Sequence, residues 1–419
     1  MPLPVALRAL AHRNFRLFVA GQLTSLIGTW MQMVAQGWLV YRLTGSSLHL
    51  GLVGFTSQIP VFLLSTAGGV IADRWPRRRV LILTQSAMMV LAFILAALTM
   101  TGAVRMWHVF VLAFLLGAAN AIDMPTRQAF VIEMVGKADL FNAIALNSSM
   151  VNGARLVGPA VSGVLVAAVG EGWCFLLNGL SFLAVIAGLA MMRLPPTVRE
   201  AVTGGVLSRI VEGFSYAAKT PPIRALLLLL GSVSLMGMPY TVLGPVIAEK
   251  ILHGGPSAYG LLMSAAGVGS LVGAAALAAR RTTRGLLRWT PTAAAGFGIA
   301  LILFSLSRVL WLSVALLVPA GFCMMIQMAS ANTLIQSMVP DRLRGRVMAV
   351  YAMMFLGMTP FGSLLAGLFA HPLGAPATVA IGGTVCVAAA AVFAWRLPGF
   401  RPLAHALLEH QRGLEDAKL

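Results

Sequence analysis

Gly69-Val70-Ile71-Ala72-Asp73-Arg74-Trp75-Pro76-Arg77-Arg78-Arg79-Val80-Leu81 lies between two long apolar runs. An acid closes the first run, and four arginines surround the start of the second. Such a stretch reads as a short basic turn at a membrane face. Arginine clusters stay on the cytoplasmic side, so the turn also orients the chain.

The rest of the composition agrees with a membrane setting. Of 419 residues, 59% are hydrophobic and 10% charged, with a mean hydropathy of +0.88. A soluble domain carries about 25% charged residues. The net charge of +18 is a topology signal with contact to anionic lipid, because the basic residues gather in short loops. Nucleic acid is not an expected partner. Cys174, Cys323 and Cys386 are far apart in apolar runs, and no CxxC or Cys/His spacing occurs, so no metal site or disulfide framework is expected. The N-terminus reads as a short tail leading into the first span, without the pattern of a cleaved signal.

Runs of about 20 apolar residues suffice to cross a bilayer as helix. The chain has such runs at about 15–41, 49–72, 80–102, 107–135, 140–169, 173–194, 223–248, 257–279, 289–307, 309–338, 346–370 and 376–396. The expectation is an all-α membrane protein with twelve transmembrane helices. Residues 1–194 form an N-terminal six-helix bundle and 223–396 a C-terminal one. Between them, 195–222 reads as a cytoplasmic linker with an amphipathic helix over Leu207–Lys219, and 397–419 reads as a cytoplasmic tail. An even number of spans puts both termini on one side. Only Arg42, Arg105, Lys250 and Arg308 then fall on the other side, and Arg127 and Arg155 inside spans, out of 30 basic residues. That asymmetry places both termini in the cytoplasm.

The opening stretch resembles the loop between helices 2 and 3 of the major facilitator superfamily. Gly69, Ile71, Asp73, Arg74, Arg77 and Arg78 fall on the family's positions, while Pro76 replaces its second glycine. The two halves are also weakly alike. Glu133-Met134-Val135 at the end of span 4 matches Ser337-Met338-Val339 at the end of span 10, and Pro159 and Pro360 interrupt the spans that follow. Asn120-Ala121-Ile122-Asp123-Met124-Pro125-Thr126-Arg127, Asn152-Gly153-Ala154-Arg155 and Pro340-Asp341-Arg342-Leu343-Arg344-Gly345-Arg346 resemble the exporter branch that includes the enterobactin exporter and macrolide efflux proteins. The resemblance implies the major facilitator fold, with two six-helix bundles and a midplane substrate site. It also implies Asp73 resting near Gly345–Val347 at the start of span 11, with Arg77 bridging Asp73 to Glu133. Gly69, Asp73, Arg74, Arg77, Arg78 and Glu133 would form a cytoplasmic gate. The alternative is that the turn sets topology alone.

Charges inside spans are costly and mark functional positions. Of twelve acids, only Asp123 lies well inside a span, and Arg127 and Arg155 are the only deep basic residues. Asp123 and Arg127 share a helix face. Counting back from the turn at 136–139 brings Arg155 near Asp123 as well. A pair of Asp123 with either arginine is open. It is either a proton-coupling device, released when an arginine withdraws, or a static pair that fixes packing.

Polar residues recur at helical spacing. Gln22, Ser25, Thr29, Gln32 and Gln36 mark one face of span 1, and Ser148, Asn152, Arg155, Pro159 and Ser162 one face of span 5. Gln32, Gln36, Asn120, Asn152, Tyr240, Asn332 and Gln336 are candidate cavity residues, or else hydrogen-bonding residues between helices. Methionines such as Met324, Met325 and Met328 either shape an adaptable pocket or fill lipid-facing space.

No phosphate loop, zinc motif or hydrolytic triad is present, so neither an enzyme nor an ATP-driven pump is expected, and no cofactor. The expected function is proton-coupled export of a small amphipathic molecule, a drug or siderophore, across the bacterial inner membrane by a monomer. The direction and the coupling follow from the resemblance. A lysolipid importer or flippase of the same fold and a non-transporting membrane sensor remain as alternatives.

Overall fold

The computed structural model describes residues 5–136, 138–193, 206–280 and 285–416. Lys137, Pro195, Pro196, Arg199, Arg281 and Arg284, and with them the first part of the expected linker, lie outside the described residues. Among the described residues are 12 helical segments long and apolar enough to cross a membrane.

A turn of 3-10 helix, Val5–Ala11, leads into α1 (Arg13–Thr44), α2 (Ser47–Arg74), α3 (Arg77–Met100), α4 (Met106–Val135), α5 (Leu140–Val169) and α6 (Glu171–Met191). The connections are as short as the sequence implies. Gly45 ends α1 at φ +60 and returns its N–H to the Tyr41 carbonyl. That left-handed cap costs glycine nothing. The amphipathic segment is α7 (Val206–Lys219), and α8 (Pro221–Ser232) follows it directly.

The seventh span differs from the single helix expected over 223–248. After α8 the backbone widens into a π turn, Val233–Gly237, tightens into a 3-10 turn, Met238–Thr241, makes a short α9 (Gly244–Val246) and widens again over Ile247–Ile251. Gly237, Pro239, Gly244 and Pro245 explain the break. Two of them supply no amide N–H, and two add no side chain to hold the turn. Then come α10 (Gly255–Ala278), α11 (Leu286–Leu306), α12 (Leu310–Met338), α13 (Asp341–Phe355), α14 (Thr359–Leu373) and α15 (Ala375–Asp416). The eleventh span is thus broken between α13 and α14, beside Pro360. The stretch after 396, expected as a tail, continues α15 as helix to Asp416.

By packing, the chain divides into two compact units. One holds 1–202 with Gly244–Gly267, the other 203–243 with 268–419. In the first unit α2 packs on α4, α1 on α5 and α6, and α3 on α4 and α6. One end of this unit is filled by a cluster that includes Phe15, Phe18, Leu81, Phe130, Val185 and Leu189. The crossing of α2 and α4 is tight. A Cβ on Gly68 would lie 2.1 Å from the Ala121 carbonyl oxygen, and one on Gly117 would lie 2.2 Å from that of Ser57. In the second unit α11 packs on α12 and α15, and α7 on α13. There the Glu212 carboxylate pairs with Arg342 at 3.3 Å and with Arg346. Large apolar side chains such as Leu63, Leu83, Val164, Trp311 and Trp395 are exposed, as lipid-facing residues are.

Candidate functional site

The site around Asp123, a buried carboxylate of the first unit, is built from two helices. Asp123 sits in α4, twelve residues before Val135, with Arg127 one turn further on the same face. Its side chain is 1% exposed. On the facing helix, α3, Thr84 and Gln85 point at it. The Thr84 hydroxyl lies 2.8 Å from Oδ1, and Gln85 Nε2 donates to the same oxygen at 2.9 Å. Arg127 lies 3.5 Å from Oδ2. Oδ1 therefore accepts two hydrogen bonds and Oδ2 faces a cation, which offsets the cost of burying the charge. Gln85 Oε1 is itself buried without a hydrogen-bond partner.

Of the two pairings left open for Asp123, the ion pair formed is with Arg127. Arg155 of α5 places its guanidinium over the Trp30 ring of α1, 4.9 Å from the centroid. Thr84 and Gln85 escaped the sequence reading. They stand out as polar residues in a mostly apolar helix, but the sequence of α3 does not say which neighbour they meet.

The candidate cavity residues have several different surroundings. Gln32, 6% exposed, accepts a 2.7 Å hydrogen bond from Asn178 of α6. Both a cavity position and a bond between helices were open for it. The bond to Asn178 ties α1 to α6, since a buried amide must find a partner. Asn120 and Asn152 donate to the carbonyls of Leu116 and Ser148 in their own helices, at 3.0 and 2.9 Å. Asn152 is buried, and Asn120 and Gln36 are partly exposed. Tyr240, in the second unit, is buried edge-on to Phe297 with centroids 6.2 Å apart. It borders a small apolar cavity with Pro239, Leu365 and Phe369. Asn332 and Gln336, also in the second unit, bond to each other at 2.5 Å along α12.

The basic turn between α2 and α3 is compact. Pro76, at φ -56, precedes the first residue of α3, so it serves as a turn residue where the family places glycine. Arg77 then folds back. It donates to the carbonyls of Ala72 and Ala129 at 3.2 and 3.1 Å and to Glu133 Oε1 at 2.8 Å. Asp73, 50% exposed, lies 3.6 Å from the same guanidinium. Arg78 donates to the Ala190 carbonyl at 2.6 Å, in the last turn of α6, where a cation is favoured. Arg74 is exposed. Gly69 has open space where its Cβ would be, and the close approach belongs to Gly68.

Further ion pairs pin the two ends of this unit. Asp139 holds Arg8 at 3.2 Å and His12 at 2.8 Å. At the opposite ends of the helices, Arg42 grips both oxygens of Glu171, at 2.7 and 3.2 Å. Glu171 is 5% exposed. Neither cluster was among the sequence candidates. Both join residues that open or close a helix.

A profile of the transmembrane secretion effector family matches residues 5–413. The chain is 27% identical to the staphyloferrin A transporter of Staphylococcus aureus over 377 residues, 88% of this chain and 93% of that one. It is 28% identical to the multidrug efflux pump Tap of Mycolicibacterium fortuitum over 373 residues, 86% of this chain and 90% of the other. In fold it matches a crystal structure of a bacterial homologue of the human lysosomal transporter Spinster. The TM-score there is 0.65 at 18% identity, covering 97% of this chain and 98% of that one. With twelve spans, the basic turn after α2 and a match along nearly its whole length, the chain belongs to the transmembrane secretion effector family, transporters of the major facilitator fold.

Proposed function

We propose that this transporter exports a small amphipathic molecule, a drug or a siderophore, by alternating access in exchange for protons. It would work as a monomer in the inner membrane, with both termini in the cytoplasm. One observation carries the coupling. Among the described residues Asp123 is the one carboxylate deep in a span, and its two oxygens are held by Thr84, Gln85 and Arg127. Withdrawal of Arg127 would leave a buried anion, which relieves its desolvation by taking up a proton. Proton uptake and helix movement are then one event.

In this scheme the turn after α2 is the gate. Arg77, bonded at once to the ends of α2 and α4, holds that corner closed until Glu133 and Asp73 let go. The likeness to the efflux pump Tap supports the export direction. The positive-inside distribution supports the orientation.

The test is accumulation in cells lacking their own pumps, across siderophores, macrolides and dyes. It compares wild type, Asp123→Asn and a protonophore control, with the variant's folding checked by size-exclusion chromatography. Export abolished by both treatments supports the scheme. Export that survives Asp123→Asn but not the protonophore removes Asp123 from the coupling. A transporter that responds to no compound turns the search to lysolipids.

A further inference from the structure

The first unit carries a basic cavity at the end where α1 begins and α6 stops. It is open, measures about 390 Å³ and is lined by His12, Arg13, Asn14, Met134 and Arg193. Small-ligand sites span roughly 300–1,000 Å³. Arg13 is the first residue of α1, and Arg193 follows closely on Met191, the last residue of α6. Asn14 joins the two. Its Nδ2 donates to the Arg193 carbonyl at 2.8 Å, and its Oδ1 accepts from the Arg193 N–H at 3.2 Å. Two arginines far apart in sequence are thus fixed on one cavity. The acid of this corner, Asp139, is taken by Arg8 at 3.2 Å and His12 at 2.8 Å. Arg13 and Arg193 are exposed, and among the described residues neither is in an ion pair. Cations gathered in this way favour an anion, and the planar arginine fork suits phosphate oxygens.

The surface of α6 gives the other half of the ligand. This helix packs on α1 and α3, and its remaining side is apolar and open. Trp173, Leu177, Leu180, Leu183 and Met191 are 41–53% exposed. At about 100° per residue they share one side of the helix, and at 1.5 Å per residue the stripe runs about 27 Å, close to the hydrocarbon thickness of a bilayer. It ends beside Arg193. A free anion from water has no use for such a stripe, whereas a lipid fills both features. From this we infer that the cavity binds the headgroup of an anionic phospholipid. Arg13 and Arg193 grip the phosphate, Asn14 positions Arg193, and an acyl chain lies along α6. Basic loops attract anionic lipid diffusely, but this site selects one molecule.

The experiment is native mass spectrometry of the full chain in detergent, with phosphatidylglycerol, phosphatidylcholine or inorganic phosphate added. Wild type is compared with Arg13→Gln, Arg193→Gln and the double variant, each shown to be monodisperse by size-exclusion chromatography. Arg401→Gln, at an exposed arginine of α15 outside the cavity, is the control. Wild type should retain one phosphatidylglycerol in preference to phosphatidylcholine, and excess inorganic phosphate should not displace it. Each single substitution in the cavity should weaken retention by about ten-fold, the worth of a lost charge-assisted hydrogen bond, and Arg401→Gln should not. Equal retention of the two lipids overturns the inference, and so does displacement by phosphate, which would make this a site for a free anion. Both are read on wild type, so they decide the matter even if a variant misfolds. Unchanged retention in the double variant, or an equal loss in Arg401→Gln, also overturns it, because the lipid then sits elsewhere or is held by diffuse charge alone.

Discussion

Arg77 and Glu133 are 56 positions apart in sequence and 2.8 Å apart in the structure. The same guanidinium also closes on the Ala72 and Ala129 carbonyls. One side chain thus fastens the end of α2 to the last turns of α4. Arg77→Ala should cost about 1.5–3 kcal/mol, the range for hydrogen bonds to a charged group. Arg77→Lys should lose nearly as much, because an ammonium cannot span three acceptors with a planar fork. Arg74→Ala, at an exposed site, should change little. Thermal melting of the purified proteins in detergent tests all three, and an Arg77→Lys variant as stable as wild type would refute the fork.

The two adjacent glycines of α2 should behave oppositely. Gly68→Val places a side chain against the Ala121 carbonyl and forces α2 away from α4. It should abolish folded protein in size-exclusion profiles. Gly69→Ala meets nothing and removes a helix-weakening glycine, so it should be neutral or stabilising by up to about 1 kcal/mol. The glycine that matches the family motif is therefore the replaceable one.

Around Asp123, Thr84→Val removes one donor from a buried carboxylate and keeps the shape. A loss of about 1–3 kcal/mol is expected, read as a lowered melting temperature. Gln85→Leu removes another donor from the same oxygen and should cost a similar amount. If either change has its effect only through Asp123, it should add little in an Asp123→Asn background. A double-mutant cycle measures that coupling.

At the other end of the unit, Arg42→Gln leaves Glu171 buried without its cation. The expected loss is about 2 kcal/mol, discounted from the value for a fully buried pair because Arg42 is half exposed. Glu171→Gln, which removes the buried charge instead, should cost less. Equal losses from the two substitutions would show that the pair is not limited by desolvation.

The turn after α2 was legible in the chain because its residues are close in sequence and their family spacing is distinctive. Twelve spans were legible because a bilayer imposes length and apolarity on each one. Thr84 and Gln85 were not, because meeting Asp123 depends on how α3 is rotated against α4, and periodicity within one helix carries no information about its neighbour. Gln32 shows the converse. Its place on a polar stripe was correct, but a polar stripe has the same spacing whether it faces water or an amide such as Asn178. The broken seventh span was written in Gly237, Pro239, Gly244 and Pro245, yet a window of apolar residues averages over them.

That mixed winding has a consequence for how the seventh span responds to a change in length. In a straight α-helix one inserted residue turns everything beyond it by about 100° and carries buried side chains to the wrong face. Between Val233 and Ile251 the chain already alternates wider and tighter turns, so an extra residue can be absorbed by converting a tight turn to a wide one. An alanine inserted after Gly237 should leave a folded protein, while one inserted after Leu116 in α4 should not. The seventh span is in this sense a slip joint in the phase of the chain, and the spans on either side of it do not have to be counted in one register.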